Sequence, residues 1–523
     1  MYRQIWMFPR NKRRILPLET ALFLKAMVVA SELGSNWTGD QQQQNQFAKL
    51  LEDYGLKGGG NQRDANSGGA RTYEAQLRLL GLLFKDNEGN LSLTQSGLAA
   101  VELKDLAKTF IWQILKVQYP CLYSVGRNVN IDPSIKVRPF VLLLDLMEDA
   151  DLNGLTDVDM EVPVVFGHNH STYEECKAKI LLARKNGIES VLPDSEYIRT
   201  TKTINTPYAM RLADIKDIAN TFKNVLQGAG MIEERIVDEH KTRWFIGRNI
   251  IPVLNEVKQV PFVDFHNLEP LQAQLQYGLL KDSTKDTRRI LMPPRLPTLD
   301  TASGVIYEKF LKDVELPATQ RDITEFAREM TVELGISYDA VINALQPIIN
   351  SSDTYVNNRL VELSKGGIST AEAFEKNVTK IFEVDFGYES SWIGRKQRVK
   401  TGGYMDVFVV ELGRNLCGII DTKSMDVYDL PSQDVSKAKD NYVKHAYELF
   451  GTRNLELKFV AYISHLIGSG ATTRAQDIYN DKHVPVTLIS AYGLNDMRSD
   501  PALIGNTVAV TNKLSSKSVN LIA

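Results

Sequence analysis

The stretch YMDVFVVELGRNLCGIIDTKS, Tyr404 to Ser424, decides the fold of the carboxy-terminal part of this chain. Val407 to Leu412 and Leu416 to Thr422 are β-rich runs, and Gly413-Arg414-Asn415 between them supplies turn chemistry, so they read as antiparallel neighbours. A turn centred on Arg414 sets Asp406 roughly opposite Asp421 or Thr422. Strand side chains alternate with period two, which puts Lys423 on the face of Asp421. Two carboxylates and an ammonium group are therefore expected at one end of a sheet. Such hard oxygen ligands suit Mg2+, which keeps several waters and bridges to phosphate oxygens, and a lysine beside them can neutralise charge growing on phosphorus. A surface hairpin with solvated charges is the competing reading. The buried-type strands around the acids, the helix before them, and the helix and strand after them speak against it. In the preceding helix, Glu372 and Glu375 stand one turn apart.

Working outward, residues 351–523 read as a separate α/β domain, with helix, strands, then helices alternating with strands. Before it, residues 291–350 hold a proline-rich stretch, MPPRLPTLDTASG, and helical sequence, the pattern of a linker plus spacer. Residues 1–135 contain a helix through Phe47, Leu50 and Leu51, a second from about Ala70 to Leu83, and a hairpin turning at Asn87-Glu88-Gly89-Asn90. That is the winged-helix order. Arg71 and Arg78 lie off the apolar stripe of the second helix and are expected to point outward. Residues 136–290 repeat the grammar, with a helix from Met210 to Leu226 and a hairpin turning near Asp238 to Lys241. The fold class expected is thus multidomain α+β, with amino-terminal winged-helix recognition modules, a helical linker and a carboxy-terminal α/β domain. A helix of this size fits the ~12 Å major groove of duplex DNA, although winged helices also serve as protein-protein scaffolds.

The 523 residues correspond to three or four domains at ~150 residues each. Hydrophobic residues at 43% and charged residues at 24% are ordinary for a globular chain, and a net charge of -3 leaves any nucleic-acid contact to local patches. One such patch is the amino terminus, where Arg10, Arg13 and Arg14 follow Trp6 and Phe8. It reads either as a solvated basic tail or as an arm gripping phosphate. Cys121, Cys176 and Cys417 are far apart and odd in number, which fits a reducing compartment and structural thiols. No signal h-region or membrane-length apolar run is present, so a cytoplasmic protein with no membrane partner is expected. His168 and His170 form an HxH without acidic or thiol neighbours, and Gly468-Ser469-Gly470 lacks the lysine of a phosphate loop; both read as loops.

Asp406, a spacer, then Asp421-x-Lys423 is the arrangement of the PD-(D/E)xK nucleases, with Met405 where that pattern most often has proline. Over about 130 residues the carboxy-terminal part resembles the cleavage domain of the FokI-type type IIS restriction endonucleases. The resemblance rests on Phe386-Gly387-Tyr388, Asp406, IIDTK ending at Lys423, YDLP from Tyr428 to Pro431, Asn441-Tyr442-Val443 and FVAYIS from Phe459. The amino-terminal half resembles the AlwI family, which includes nicking relatives such as BstNBI. Its marks are FPR ending at Arg10, WTG from Trp37, FAKLL from Phe47, Arg63-Asp64, the EGNLSLTQSG wing and WQILKVQYP ending at Pro120.

These resemblances imply a Mg2+-dependent deoxyribonuclease that binds a short asymmetric site in double-stranded DNA and cuts a fixed distance away. Asp406 and Asp421 would hold the metal with Glu375 as third carboxylate, Glu372 one turn away being an equal alternative, and Lys423 would be the catalytic lysine. Arg10, Arg13, Arg14, Arg63, Arg71 and Arg78 are the candidate DNA contacts. One chain carries one nuclease site, so a double-strand cut implies a transient homodimer or a second nuclease subunit. Lys437 and Asn441 stand where FokI uses an opposite-charge pair for that dimerisation, and the pairing is lost here. A strand-specific nickase, or the large subunit of a heterodimeric enzyme, is the alternative. From another class, a non-catalytic winged-helix regulator would bind DNA without cutting it.

Overall fold

The computed structural model describes residues 2–9, 16–31, 37, 41–53, 68–124, 129–193, 207–238, 241–288, 301–394, 405–450 and 454–523. Arg10, Arg13, Arg14 and Arg63 lie outside these residues, as does the proline-rich stretch through 300. Two compact units are present: one of Met1–Glu234, Arg243–Lys309 and Asn343–Thr354, the other of Arg235–Thr242, Phe310–Ile342 and Tyr355–Ala523.

The first unit is mostly helical. Helix Gly68–Leu79 leads into strands β1 (Leu83–Lys85) and β2 (Leu91–Leu93), paired antiparallel with Phe84 opposite Ser92. Their turn is closed by Asp86, whose Oδ1 accepts from the backbone N–H of Glu88 at 2.9 Å and of Asn90 at 2.8 Å, while Gly89 takes the positive φ of 88° that a side chain resists. Helix Tyr208–Gly228 precedes a second hairpin, β3 (Ile232–Asp238) and β4 (Lys241–Ile246), of which residues 232–234 and 243–246 lie in this unit. The core of the unit is aromatic: Trp6 and Phe8 pack on Phe222 with ring centroids 5.3 and 5.6 Å away, and Phe140 closes the cluster. Trp6 and Phe8 thus belong to the core and not to a solvated tail.

In the second unit, six strands form one mixed sheet. Beyond β5 (Glu389–Trp392), β6 (Val407–Glu411) and β7 (Leu416–Thr422), the chain adds β8 (Val427–Tyr428), β9 (Glu456–Ser464), β10 (Leu466–Ile467), β11 (Val486–Ser490) and β12 (Val519–Ile522). The sheet order is β12-β11-β9-β7-β6-β5, with β5, β6 and β7 antiparallel in turn and β7, β9, β11 and β12 parallel. Every residue of β6 and β7 is buried, as expected of strands covered on both faces. Phe408, Val410, Cys417 and Ile419 pack with Tyr428, Tyr442, Tyr462 and Leu488 in one core. At Gly418 a Cβ would clash with the ring of Phe459, its partner in β9, so the absence of a side chain there makes room for that ring where the register shifts between Cys417 and Gly418.

Candidate active site

Antiparallel pairing of β6 and β7 sets Val407 opposite Ile420, which brings Asp406, one residue before β6, beside Asp421 near the end of β7. The backbone N–H of Asp406 donates to Ile420 O at 3.2 Å and fixes that register. Both carboxylates are buried, at 6% and 2% exposure. Asp406 Oδ2 accepts from the N–H of Thr422 at 2.8 Å and from its hydroxyl at 3.1 Å. Lys423 Nζ lies 2.6 Å from Asp421 Oδ2. The lysine backbone is held too: its N–H donates to Ile463 O at 2.8 Å and its carbonyl accepts from Ser464 Oγ at 2.7 Å.

The two acids that compete as third carboxylate face different surroundings. Glu375, in helix Ala371–Lys380, is buried, and its Oε2 accepts from Trp392 Nε1 at 2.9 Å. Glu372 is half-buried and pairs with Lys376 along the helix at 2.9 Å. Burial pushes the Asp406 carboxyl well above the ordinary range, and the charges of Asp421 and Glu375 push it further against the pull of Lys423. Burial pulls the Lys423 ammonium down, yet Asp421, Asp406 and Asp434 together hold it above the usual lysine value.

Three features escaped the sequence pattern. Asp434, in the first turn of helix Ser432–Lys437, is buried within 3.7 Å of Lys423 Nζ, and it accepts from Tyr428 OH at 2.9 Å and from Lys437 Nζ at 2.9 Å. The phenols of Tyr428, Tyr442 and Tyr462 wall the Asp421 side; burial first, then the charge of Asp421, raises all three above the ordinary tyrosine value. Gly394 presses on the third acid: a Cβ there would sit 2.7 Å from Glu375 Oε2 and clash with the Trp392 indole. An acid three residues after the proline of YDLP is the one visible signal for Asp434.

Among the described residues no three His, Cys, Asp or Glu side chains close into a ready-made metal cage. The donor set nevertheless fits Mg2+, which commonly takes one or two carboxylates and fills its other positions with water and substrate oxygens. Asp406, Asp421 and Glu375 set three acids against the one ammonium of Lys423, a donor set that a divalent cation would complement.

The other candidates fall elsewhere. Arg71 is exposed on helix Gly68–Leu79. Arg78 does not point outward: its guanidinium binds Glu74 Oε1 at 3.1 Å and Gln274 Oε1 at 3.3 Å. Lys437 is engaged by Asp434 within the chain. His170 Nε2 accepts weakly from the backbone N–H of Arg138, at 3.5 Å.

Residues 335–500 match the family model described as FokI, cleavage domain. That segment contains Glu375, Trp392, Asp406, Asp421, Lys423 and Asp434, so the FokI-type match and the carboxylate cluster coincide. Two solved structures align along 97% of this chain and 97% of their own: the restriction endonuclease FokI, at 13% identity, and FokI bound to DNA, at 12%, each with a TM-score of 0.27. No curated protein matches the chain. Among the described residues no helix is long and apolar enough to cross a membrane.

Proposed function

We propose that this chain is a Mg2+-dependent type IIS restriction endonuclease. The observation that carries the reading is the convergence of Asp406, Asp421 and Lys423 at one sheet end, inside the segment that matches the FokI cleavage domain. Asp406, Asp421 and Glu375 would hold Mg2+, which when bound supplies Lewis-acid stabilisation of a phosphodiester and a more acidic water. Thr422 fixes one oxygen of Asp406 by two hydrogen bonds, so that carboxylate is preorganised. Lys423 presents a positive charge where negative charge grows as water oxygen bonds to phosphorus and the bond to the 3′ oxygen breaks, leaving a 5′-phosphate and a 3′-hydroxyl.

DNA recognition is assigned to the amino-terminal half, read as winged-helix modules of the AlwI kind in residues 1–135 and 136–290. The helix Gly68–Leu79 followed by the β1–β2 hairpin supports this, and exposed Arg71 is its contact within the described residues. Arg10, Arg13, Arg14 and Arg63 complete the proposed set.

Run-off sequencing of plasmid DNA digested with Mg2+ tests the proposal. It expects one asymmetric site with a constant offset, no digestion with EDTA, and none by Asp421→Ala. Binding without cleavage by a folded preparation would instead make the chain a DNA-binding regulator. A second reading, a strand-specific nickase or the large subunit of a heterodimer, is favoured by the internal pairing of Lys437 with Asp434, which occupies that ammonium within the chain. Nicked circles at every enzyme concentration would select it; linear product rising with concentration would select a transient homodimer.

A further inference from the structure

We propose that Asp434 is a positioning residue that anchors the ammonium of Lys423 alongside Asp421. This rests on the nuclease reading above. Lysine is a point charge on a flexible four-carbon stem, and its use in catalysis depends on what holds it. Lys423 Nζ has two carboxylates in range, Asp421 at 2.6 Å and Asp434 at 3.7 Å. The nearer one is itself a proposed metal ligand. An oxygen of Asp421 that serves a cation is no longer fully available to the lysine, so a site with Asp421 alone would loosen Lys423 when it is needed.

Asp434 is built to be the fixed member of the pair. Its carboxylate is buried, its Oδ2 accepts from Tyr428 OH at 2.9 Å, and its Oδ1 is paired with Lys437 Nζ at 2.9 Å. The backbone is fixed as well: Asp434 N–H donates to Pro431 O at 2.8 Å, and Tyr462 OH donates to Asp434 O at 3.4 Å. Helix, phenol and surface lysine thus hold one buried acid in place beside the Lys423 ammonium. Such support from neighbouring side chains keeps a catalytic group within the fraction of an ångström that matters.

The experiment uses the full chain and the plasmid whose site the run-off sequencing defines. Single-turnover cleavage with Mg2+ and DNA affinity with EDTA are measured for the wild type, Asp434→Asn and Asp421→Ala. The expected result is a cleavage rate constant lowered about 10- to 100-fold in Asp434→Asn, with DNA affinity and thermal midpoint unchanged. A wild-type rate in Asp434→Asn while Asp421→Ala is inactive overturns the inference and leaves the nuclease reading standing. Cleavage by Asp421→Ala overturns the assignment of cleavage to this carboxylate site and the inference with it. Equal losses of affinity, midpoint and rate would make Asp434 structural and also overturn the inference. Should Asp434→Asn fail to fold, Tyr428→Phe and Lys437→Gln each remove one donor to Asp434. Slower cleavage by either folded variant supports the anchor, and wild-type rates in both sink it.

Discussion

Trp392 holds Glu375: the indole Nε1 donates to carboxylate Oε2 at 2.9 Å, across the gap between the end of β5 and helix Ala371–Lys380. Lys376 lies 4.5 Å over the same indole ring, so the aromatic side chain is clamped while it positions the acid. Trp392→Phe keeps the ring and deletes the donor. Leaving a buried carboxylate short of a hydrogen bond costs on the order of 1–3 kcal/mol, and a displaced Glu375 would cost cleavage besides. The expected outcome is a thermal midpoint lowered by a few degrees and a single-turnover rate down by about tenfold. An unchanged rate would remove Glu375 from the site.

Gly394 tests the same corner by crowding. A methyl group there would sit 2.7 Å from Glu375 Oε2 and overlap the Trp392 indole. Gly394→Ala should therefore slow cleavage at least as much as Trp392→Phe, with DNA affinity retained. The two variants combined should lose less than the product of their separate effects, because both act through Glu375. Additive losses in that double-mutant cycle would separate them.

Much of this site was legible in the chain, and what escaped shares one cause. The β6–β7 hairpin announces itself by two apolar runs around Gly413-Arg414-Asn415, which set Asp406 roughly opposite Asp421 or Thr422, and period-two alternation adds Lys423 to the face of Asp421. Glu375 and Glu372 are three positions apart in one helix, so periodicity gives each a claim; only the fold shows that Glu375 is buried against Trp392, 17 residues onward. Asp434 depends on Tyr428 and Lys423 meeting it in space. Arg78 failed as an outward contact because a helical wheel cannot see Gln274, 196 residues away, which binds its guanidinium. Local pattern sets local register; partners supplied by distant segments are set only by the completed fold.

Glu161 gives a pH test in the first unit. Burial raises its carboxyl to about 7 from the ordinary 4.5; Asp157 and Glu189 add to this, and Lys216 opposes it. The folded chain therefore keeps a proton that the unfolded chain releases between these values. Its contribution to stability is full below pH 4.5 and is lost as pH rises through 7. Glu161→Gln keeps the shape without the titration. Urea unfolding across that range should show the wild type losing stability relative to the variant as pH rises, with the difference levelling off above pH 7. Parallel curves would disprove the assignment.

Asp406 makes the sharpest prediction because its contributions to folding and to chemistry oppose each other. It is buried among Asp421 and Glu375, with Lys423 as the counter-charge, so the fold bears the cost of confining like charges. Asp406→Asn makes that position permanently neutral, so the confinement cost cannot arise, and retains an oxygen able to accept from the N–H and hydroxyl of Thr422. The variant should unfold at the wild-type temperature or a few degrees above it, whereas a packing residue of equal burial would lower the midpoint. Cleavage should fall below detection. Mg2+ separates the two roles: a cation that binds the folded site raises the wild-type midpoint by mass action, and Asp406→Asn should lose that increment. An Asp406→Asn protein that melts well below the wild type would mean the acid is there to build the sheet end. One that keeps the Mg2+ shift would mean that the ion binds elsewhere.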